Sequence, residues 1–445
     1  MRLLSSRSSA SAKGPSLKHG IPAKFLLFAA CICVTQIPCH GQSGGILCTS
    51  GSGQFSSTTT SKLTVTIGPQ RDRGFSTRAC EASLAWNKKK LTVVSDAWQV
   101  DLDAMNVDFG LGAPVVAFQF KKSEADSEMT YQVYSLHTPP VLQRTITGGD
   151  FYRAADTDMD GRIEIWAGDA KAVNGFENLP LANIDFPPTV VLRFEDRRLI
   201  DVSSEFQSVY DHRIAELRSE LIPVQLSDFK ASNGKLDDLP PWQVEKLRGL
   251  LAAKIKVLEI VWAYLYSGRE QLAWQALTEM WPAADFNRIR ASIAKALAGG
   301  IITQVDGVAR PGTPLRKHDR VPVVDLTLKS VTLDPIATRM TGFPRTPEPQ
   351  TDTSRLGDIE MPQAISLMTP PPPDPEHTLP RSGVLVDLVI DRAGKVSSAQ
   401  LLDDADKGPV GDSLIAASAH WKFIPAMKND RAVASHIRLR VSLYE

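Results

Sequence analysis

The sequence reads as a multidomain α+β protein: an N-terminal mainly β module, a central α-helical module, a proline-rich linker and a small C-terminal β-α-β-β domain. Three observations carry this reading. Short β-branched runs bounded by turn residues fill residues 63–206, apolar residues recur at three- or four-residue steps within 207–310, and ten prolines crowd residues 344–380. A chain of 445 residues is also too long for one ordinary core, because domains usually hold about 100 to 200 residues.

The composition is 43% hydrophobic and 22% charged, which is globular. The 50 basic residues balance 50 acidic ones, so no net field recruits nucleic acid, and a DNA or RNA partner is not expected.

Residues 1–41 have the layout of a signal peptide. Arg2, Arg7, Lys13, Lys18 and Lys24 precede the apolar run 25–34, and no acid interrupts either stretch. Extended to Ile37, the run is still shorter than the roughly 20 apolar residues a membrane span needs, so cleavage near Gln42 is expected. Retention as an inner-membrane anchor is the alternative. Phe28-Ala29-Ala30-Cys31 resembles a lipoprotein cleavage box, although Phe stands where Leu is usual. Export places the mature protein in the periplasm or outside the cell.

Three of the five cysteines lie in the leader, which leaves Cys48 and Cys80 in the mature chain. In an oxidising compartment they either form the single possible intrachain bridge, contributing on the order of 4 kcal/mol, or remain two separately buried thiols.

Residues 42–62 are rich in Gly, Ser and Thr and are expected to be loosely ordered. The β module then runs from 63 to 206, with strand-like text at 63–67, 91–94, 115–120 and 131–134. In the helical module (207–310), Leu247, Leu251, Ile255, Leu258, Trp262 and Leu265 mark one buried stripe that Gly268 ends. Leu272, Ala276, Leu277 and Met280 mark a second helix; Phe286, Ile289, Ile293 and Leu297 mark a third. Residues 262–277 faintly resemble a tetratricopeptide hairpin, but one repeat cannot bury its own faces, so an ordinary bundle is expected. The linker (311–376) opens on a strand-like run at 321–333. It continues as an extended proline-rich spacer that separates domains.

In the last segment (377–445), Val384, Val386, Leu388 and Ile390 alternate along a strand that ends at Asp391-Arg392-Ala393-Gly394, a turn with Gly where positive φ is wanted. Residues 396–402 return. Leu414, Ala417, Ser418 and Trp421 share a helix face, and Ile437, Leu439, Val441 and Leu443 alternate with His436, Arg438, Arg440 and Ser442 on a closing strand. This pattern, with Gly394-Lys395-Val396 and the string Trp421-Lys422-Phe423-Ile424-Pro425-Ala426, resembles the TonB C-terminal domain. The resemblance implies a small sheet packed by one helix, whose edge receives an extended peptide from an outer-membrane receptor. The candidate partner surface is therefore the last strand: backbone edges at Ile437, Leu439 and Val441, and the polar face at Arg438 and Arg440.

A second motif lies upstream. The run from Asp156 to Trp166 places Asp156, Asp158, Asp160 and Glu164 at loop positions one, three, five and nine, with Gly161 at six. Oxygen ligands at that spacing fold around Ca2+. Ala167 occupies position twelve, where an EF-hand needs Glu, so the loop instead resembles the short calcium loop of FG-GAP or VCBS repeats. That resemblance implies that Arg162 supplies a backbone carbonyl and Glu164 the last carboxylate. Without a metal, the same aspartates would cap local N–H groups in a turn. Residues 99–118 look like a degenerate copy built around Asp101 and Asp103, and two copies are too few to close a propeller.

No nucleophile elbow, zinc helix or phosphate-binding glycine loop occurs, and no histidine sits at helical spacing from another. An enzyme is not expected, and no small-molecule substrate is evident. Three functions fit: a cell-envelope protein that binds a partner peptide by strand addition, a TonB-type energy transducer with a retained anchor, or a secreted calcium-dependent recognition or adhesion protein.

Overall fold

The computed structural model describes residues 46–59, 62–70, 79–179, 187–237, 243–309, 323–326, 329–333, 355–356, 358–368, 383–403 and 408–443. The leader, with its cleavage and lipid sites, lies outside them, as does most of the proline-rich stretch.

The fold is mixed α+β, with β-sheets at the N-terminal side, a helical segment over 203–304 and further sheets at the C-terminal side. In chain order the first strands are β1 (Cys48–Thr49), β2 (Phe55–Thr58), β3 (Thr64–Pro69), β4 (Cys80–Trp86), β5 (Lys89–Ala97), β6 (Gln99–Val107), β7 (Val115–Lys121) and β8 (Met129–Ser135). They are followed by β9 (Val141–Ala155), β10 (Glu164–Asp169), β11 (Thr189–Glu195), β12 (Arg198–Asp201) and β13 (Gly307–Val308). Strands β2 to β5 make an antiparallel meander. The others form a long sheet ordered β1-β6-β7-β8-β9-β10-β11-β12-β13. The segment expected to be loose thus starts the fold, because Leu47 and Phe55 enter an apolar core and β2 pairs along β3. Cys48 and Cys80 are bonded, which staples the long sheet to the meander.

The helices are α1 (Ala170–Val173), α2 (Gln207–Glu220), α3 (Pro223–Lys230), α4 (Val244–Tyr266), α5 (Glu270–Met280) and α6 (Phe286–Leu297). Gly268 at φ 76° ends α4 as the sequence implies. The stripe on α4 is rotated from the one expected: Leu250, Val257, Leu258, Val261 and Trp262 are buried, while Leu247 faces solvent. Leu272 on α5 also points outward, with Ala273, Ala276, Leu277 and Met280 inward. Sheet and helices share one core, in which Val190, Leu192 and Tyr152 meet Trp262, Leu277 and Ile289, and β13 returns from beyond the helices to pair with β12. The β and helical modules are therefore one packed body.

The C-terminal part holds β14 (Val324–Asp325), β15 (Lys329–Leu333), β16 (Arg355–Leu356), β17 (Ile359–Glu360), β18 (Gln363–Ser366), β19 (Val384–Ile390) and β20 (Val396–Leu401). It continues with α7 (Pro409–Ser418), β21 (Lys422–Ile424), β22 (Ala426–Lys428), β23 (Arg431–Val433) and β24 (Ser435–Leu443). Trp421, Leu414, Leu388 and Leu439 lie in its core.

Two expectations about this part are corrected. Within the anticipated spacer, β17 pairs with β22 and β18 with β21, and Met361, Ile365 and Leu367 are buried, so this stretch belongs to the C-terminal fold. The C-terminal part is also not free-standing. Ala393 enters the sheet-and-helix core, and Ile365 and Ile424 enter the core between the meander and β6.

Candidate metal centre

Strands β9 and β10 pair antiparallel with Ala155 opposite Glu164, so their connection begins at Asp156 and ends at Ile163. The chain turns tightly there, with Met159 at φ 60° and Gly161 at φ 90°. Both carboxylate oxygens of Asp156 accept the Gly161 N–H at 3.1 Å, Asp158 accepts from the Asp160 N–H at 3.2 Å, and Asp160 accepts from the Arg162 N–H at 2.8 Å. These bonds fold the loop inward, and carboxylate oxygens of Asp156, Asp158 and Asp160 lie within 4.8 Å of one another. The cluster could hold a metal ion.

Glu164, one strand position beyond the loop, is fully buried. Its Oε2 accepts the Thr157 N–H at 3.1 Å, while its Oε1 makes no hydrogen bond and sits 3.5 Å from Arg193 Nη1. Arg193, opposite Glu164 in the ladder, is held by Glu195 and Glu205 at 2.6–3.0 Å.

The electrostatics follow from that crowding. Burial, reinforced by the charges of Asp391, Asp160 and Asp158, pushes the Asp156 carboxyl up to about 7. Burial pushes Glu164 up to about 8, with Asp158 adding to it and Arg193 opposing. Asp158 is raised as well, by burial and by Asp160. Asp160 moves the other way: burial works against its charge, but hydrogen bonds from Arg162 outweigh it. The Arg162 side chain was not anticipated in this role. Its guanidinium lies on Asp160 at 2.5 Å, so an incoming cation shares that carboxylate with it.

The site has a roof. In the turn after β19, buried Asp391 accepts the Ala393 and Lys395 N–H groups through Oδ1, and through Oδ2 it accepts the Asp156 N–H at 2.9 Å. Arg392 Nη1 donates to the Gly161 carbonyl at 2.8 Å, and its Nε donates to the Ala432 carbonyl at 3.0 Å. Gly394 makes this turn possible: at φ 80°, a Cβ there would lie 1.9 Å from the Phe423 carbonyl oxygen.

Asp101 and Asp103 form no second loop. They lie buried in the middle of β6, where Lys422 Nζ donates to Asp101 Oδ1 at 2.5 Å and Lys395 Nζ to Asp103 Oδ1 at 2.8 Å. Gln119 donates to the second Asp101 oxygen at 3.1 Å, and Tyr131 Oη to the second Asp103 oxygen at 2.6 Å. The sequence carried a signal for this contact: Asp101 and Asp103 alternate with Val100, Leu102 and Ala104 on one strand, and Lys422 stands between Trp421 and Phe423.

At the other candidate surface, Ile437, Leu439 and Val441 are buried core residues, whereas Arg438 is largely exposed. Arg440 lies on the same polar face, half-buried. The expected free edge is not there. Strand β24 pairs with β19 on one flank and, in parallel, with β14 and β15 on the other, from Val324 opposite Ser435 to Leu333 opposite Leu443. Its backbone groups are thus engaged by the chain itself.

No family model, no characterised protein and no solved structure matches this chain. The likenesses to TonB and to FG-GAP or VCBS loops rest on the motifs themselves. Among the described residues no helix is long and apolar enough to cross a membrane, and the Cys48–Cys80 bond is consistent with an extracytoplasmic location.

Proposed function

We propose that the protein is an exported, non-enzymatic, calcium-dependent binding protein of the cell envelope, in which the 156–164 loop holds one Ca2+ and the TonB-like C-terminal part meets a protein partner. The observation that carries this is the convergence of the Asp156, Asp158 and Asp160 carboxylates. Flexible, carboxylate-rich oxygen sets suit Ca2+, which takes six to eight ligands, better than Mg2+, which demands near-ideal octahedral geometry.

Strand addition remains the recognition mode, at a different place. In the sheet ordered β14-β24-β19-β20, β20 is the last strand among the described residues, bridged only at its start where Lys395 meets Lys422, and the proposal places an extended peptide along it. An energy transducer is the weaker reading. It needs a C-terminal domain that reaches away on its spacer, and the buried Lys422–Asp101 and Lys395–Asp103 pairs favour a docked one.

Calorimetric titration of metal-stripped mature protein with CaCl2 tests the reading. One saturable site is expected, weakened at least tenfold by Asp158→Asn. Absence of calcium uptake by the wild-type protein refutes it.

A further inference from the structure

We infer that the C-terminal part is a component of the cation site: Asp391 and Arg392 hold the 156–164 loop in its ligand-ready shape, so cation binding and docking of the C-terminal part reinforce each other. The inference rests on the cation reading above and extends it to regulation.

Two adjacent residues of one turn grip the ligand-bearing loop at its first and sixth positions. Asp391 fixes the amide of Asp156, the first ligand position, and Arg392 fixes the carbonyl of Gly161, the sixth. The Gly161 N–H in turn bonds the Asp156 carboxylate, so the two grips and the loop's own closure form one continuous set of hydrogen bonds. Asp391 is not a ligand. Both of its oxygens are occupied by N–H donors, and its part is to orient, as outer groups commonly do around metal ligands.

The turn cannot shift alone. The Phe423 N–H donates to the Gly394 carbonyl at 2.8 Å, and the neighbouring Lys422 is buried against Asp101, while Lys395 is buried against Asp103. Releasing the loop from above therefore requires the turn, β21 and both lysines to leave together.

Shared hydrogen bonds supply the coupling: the turn that holds the Asp156 N–H and the Gly161 carbonyl is the same turn that docks through Lys395 and, beside it, Lys422. Linkage makes the effect mutual: whatever factor docking contributes to cation affinity, the cation contributes to docking, and couplings of this kind run to about 5–150-fold.

Hydrogen exchange and calorimetry on the full mature chain test this together. With CaCl2 added to the wild-type protein, amide exchange at Asp156, Lys395 and Phe423 is expected to slow, and Arg392→Met is expected to weaken calcium binding by about tenfold while the Cys48–Cys80 bond stays formed. Calcium uptake with unchanged exchange at these amides and an unaltered affinity in Arg392→Met overturns the inference and leaves the cation reading standing. Absence of uptake by the wild-type protein removes both. The exchange measurement uses the unmutated chain, so the test holds even if Arg392→Met does not fold.

Discussion

Lys422 and Asp101, separated by most of the chain, meet at 2.5 Å with both side chains withdrawn from solvent. Burial works against the charge of both: it raises the Asp101 carboxyl and lowers the Lys422 ammonium, each partner opposing the other's shift. Such a pair contributes little over an apolar replacement, but it punishes the loss of one partner.

Truncating Lys422 to Ala therefore leaves a buried carboxylate alone and is expected to cost about 3–5 kcal/mol in urea unfolding. The double change Asp101→Leu with Lys422→Met is expected to recover most of that loss. A near-neutral single variant would mean the pair is not buried in solution.

Reduction of the Cys48–Cys80 bond removes the covalent tie between β1 and β4 and leaves the meander held by the apolar core it shares with β6 and β7. Replacing both cysteines with Ser is expected to lower stability by about 2–5 kcal/mol, the usual range for a native bridge, measured by denaturant titration. Free thiols in the unreduced, unfolded protein would contradict it.

The pH dependence of the cation-free protein has a definite sign. Asp391 (about 6), Asp156 (about 7) and Glu164 (about 8) are all raised by burial first, so between about pH 4 and 8 the folded state keeps protons that the unfolded chain has released. The contribution of these three groups is fully present below the ordinary carboxylate range and falls as pH rises through these values, whereas the lowered carboxyls Glu177, Asp285 and Asp387 act only at more acid pH. Metal-stripped protein should melt at a lower temperature at pH 8 than at pH 5, and CaCl2 should restore it at pH 8 with little effect at pH 5. His436 adds to the same trend. Its imidazole is raised by hydrogen bonds to Asp387 and Asp325, at 2.8 and 2.7 Å, so its contribution is lost as pH rises above its folded value. Calcium does not restore that part, and His436→Gln removes it.

Gly394→Ala puts a methyl group 1.9 Å from the Phe423 carbonyl at a positive φ. It is expected to destabilise by more than about 1 kcal/mol and to raise hydrogen exchange in β19 to β21 before the long sheet is affected.

Much of this arrangement was legible in the chain because it is local. The three-to-four-residue spacing from Leu247 to Leu297 gives α4, α5 and α6 to within a few residues, and the carboxylates of 156–164 come from one hairpin connection. What escaped is non-local. Nothing around Val324 or Lys329 announces that these residues will lie beside β24, more than a hundred positions later, because a parallel partner leaves no turn signal. Phe55 looked isolated among Ser and Thr until β3 supplied its neighbours. The roles of Asp391 and Arg392 were hidden for a related reason. A turn aspartate that bonds its own N–H groups reads as turn chemistry, and its second oxygen gives no hint that it serves Asp156.

Trp166 offers a built-in reporter of the loop, since its indole N–H donates to the Thr157 hydroxyl at 2.8 Å, between the first two aspartates. Terbium luminescence excited through tryptophan reads whether a cation sits there. Saturable emission that excess Ca2+ displaces and that needs at least tenfold more terbium in Asp158→Asn is the result expected; folded protein that gives no sensitised emission, or emission indifferent to Asp158→Asn, would contradict the cation site.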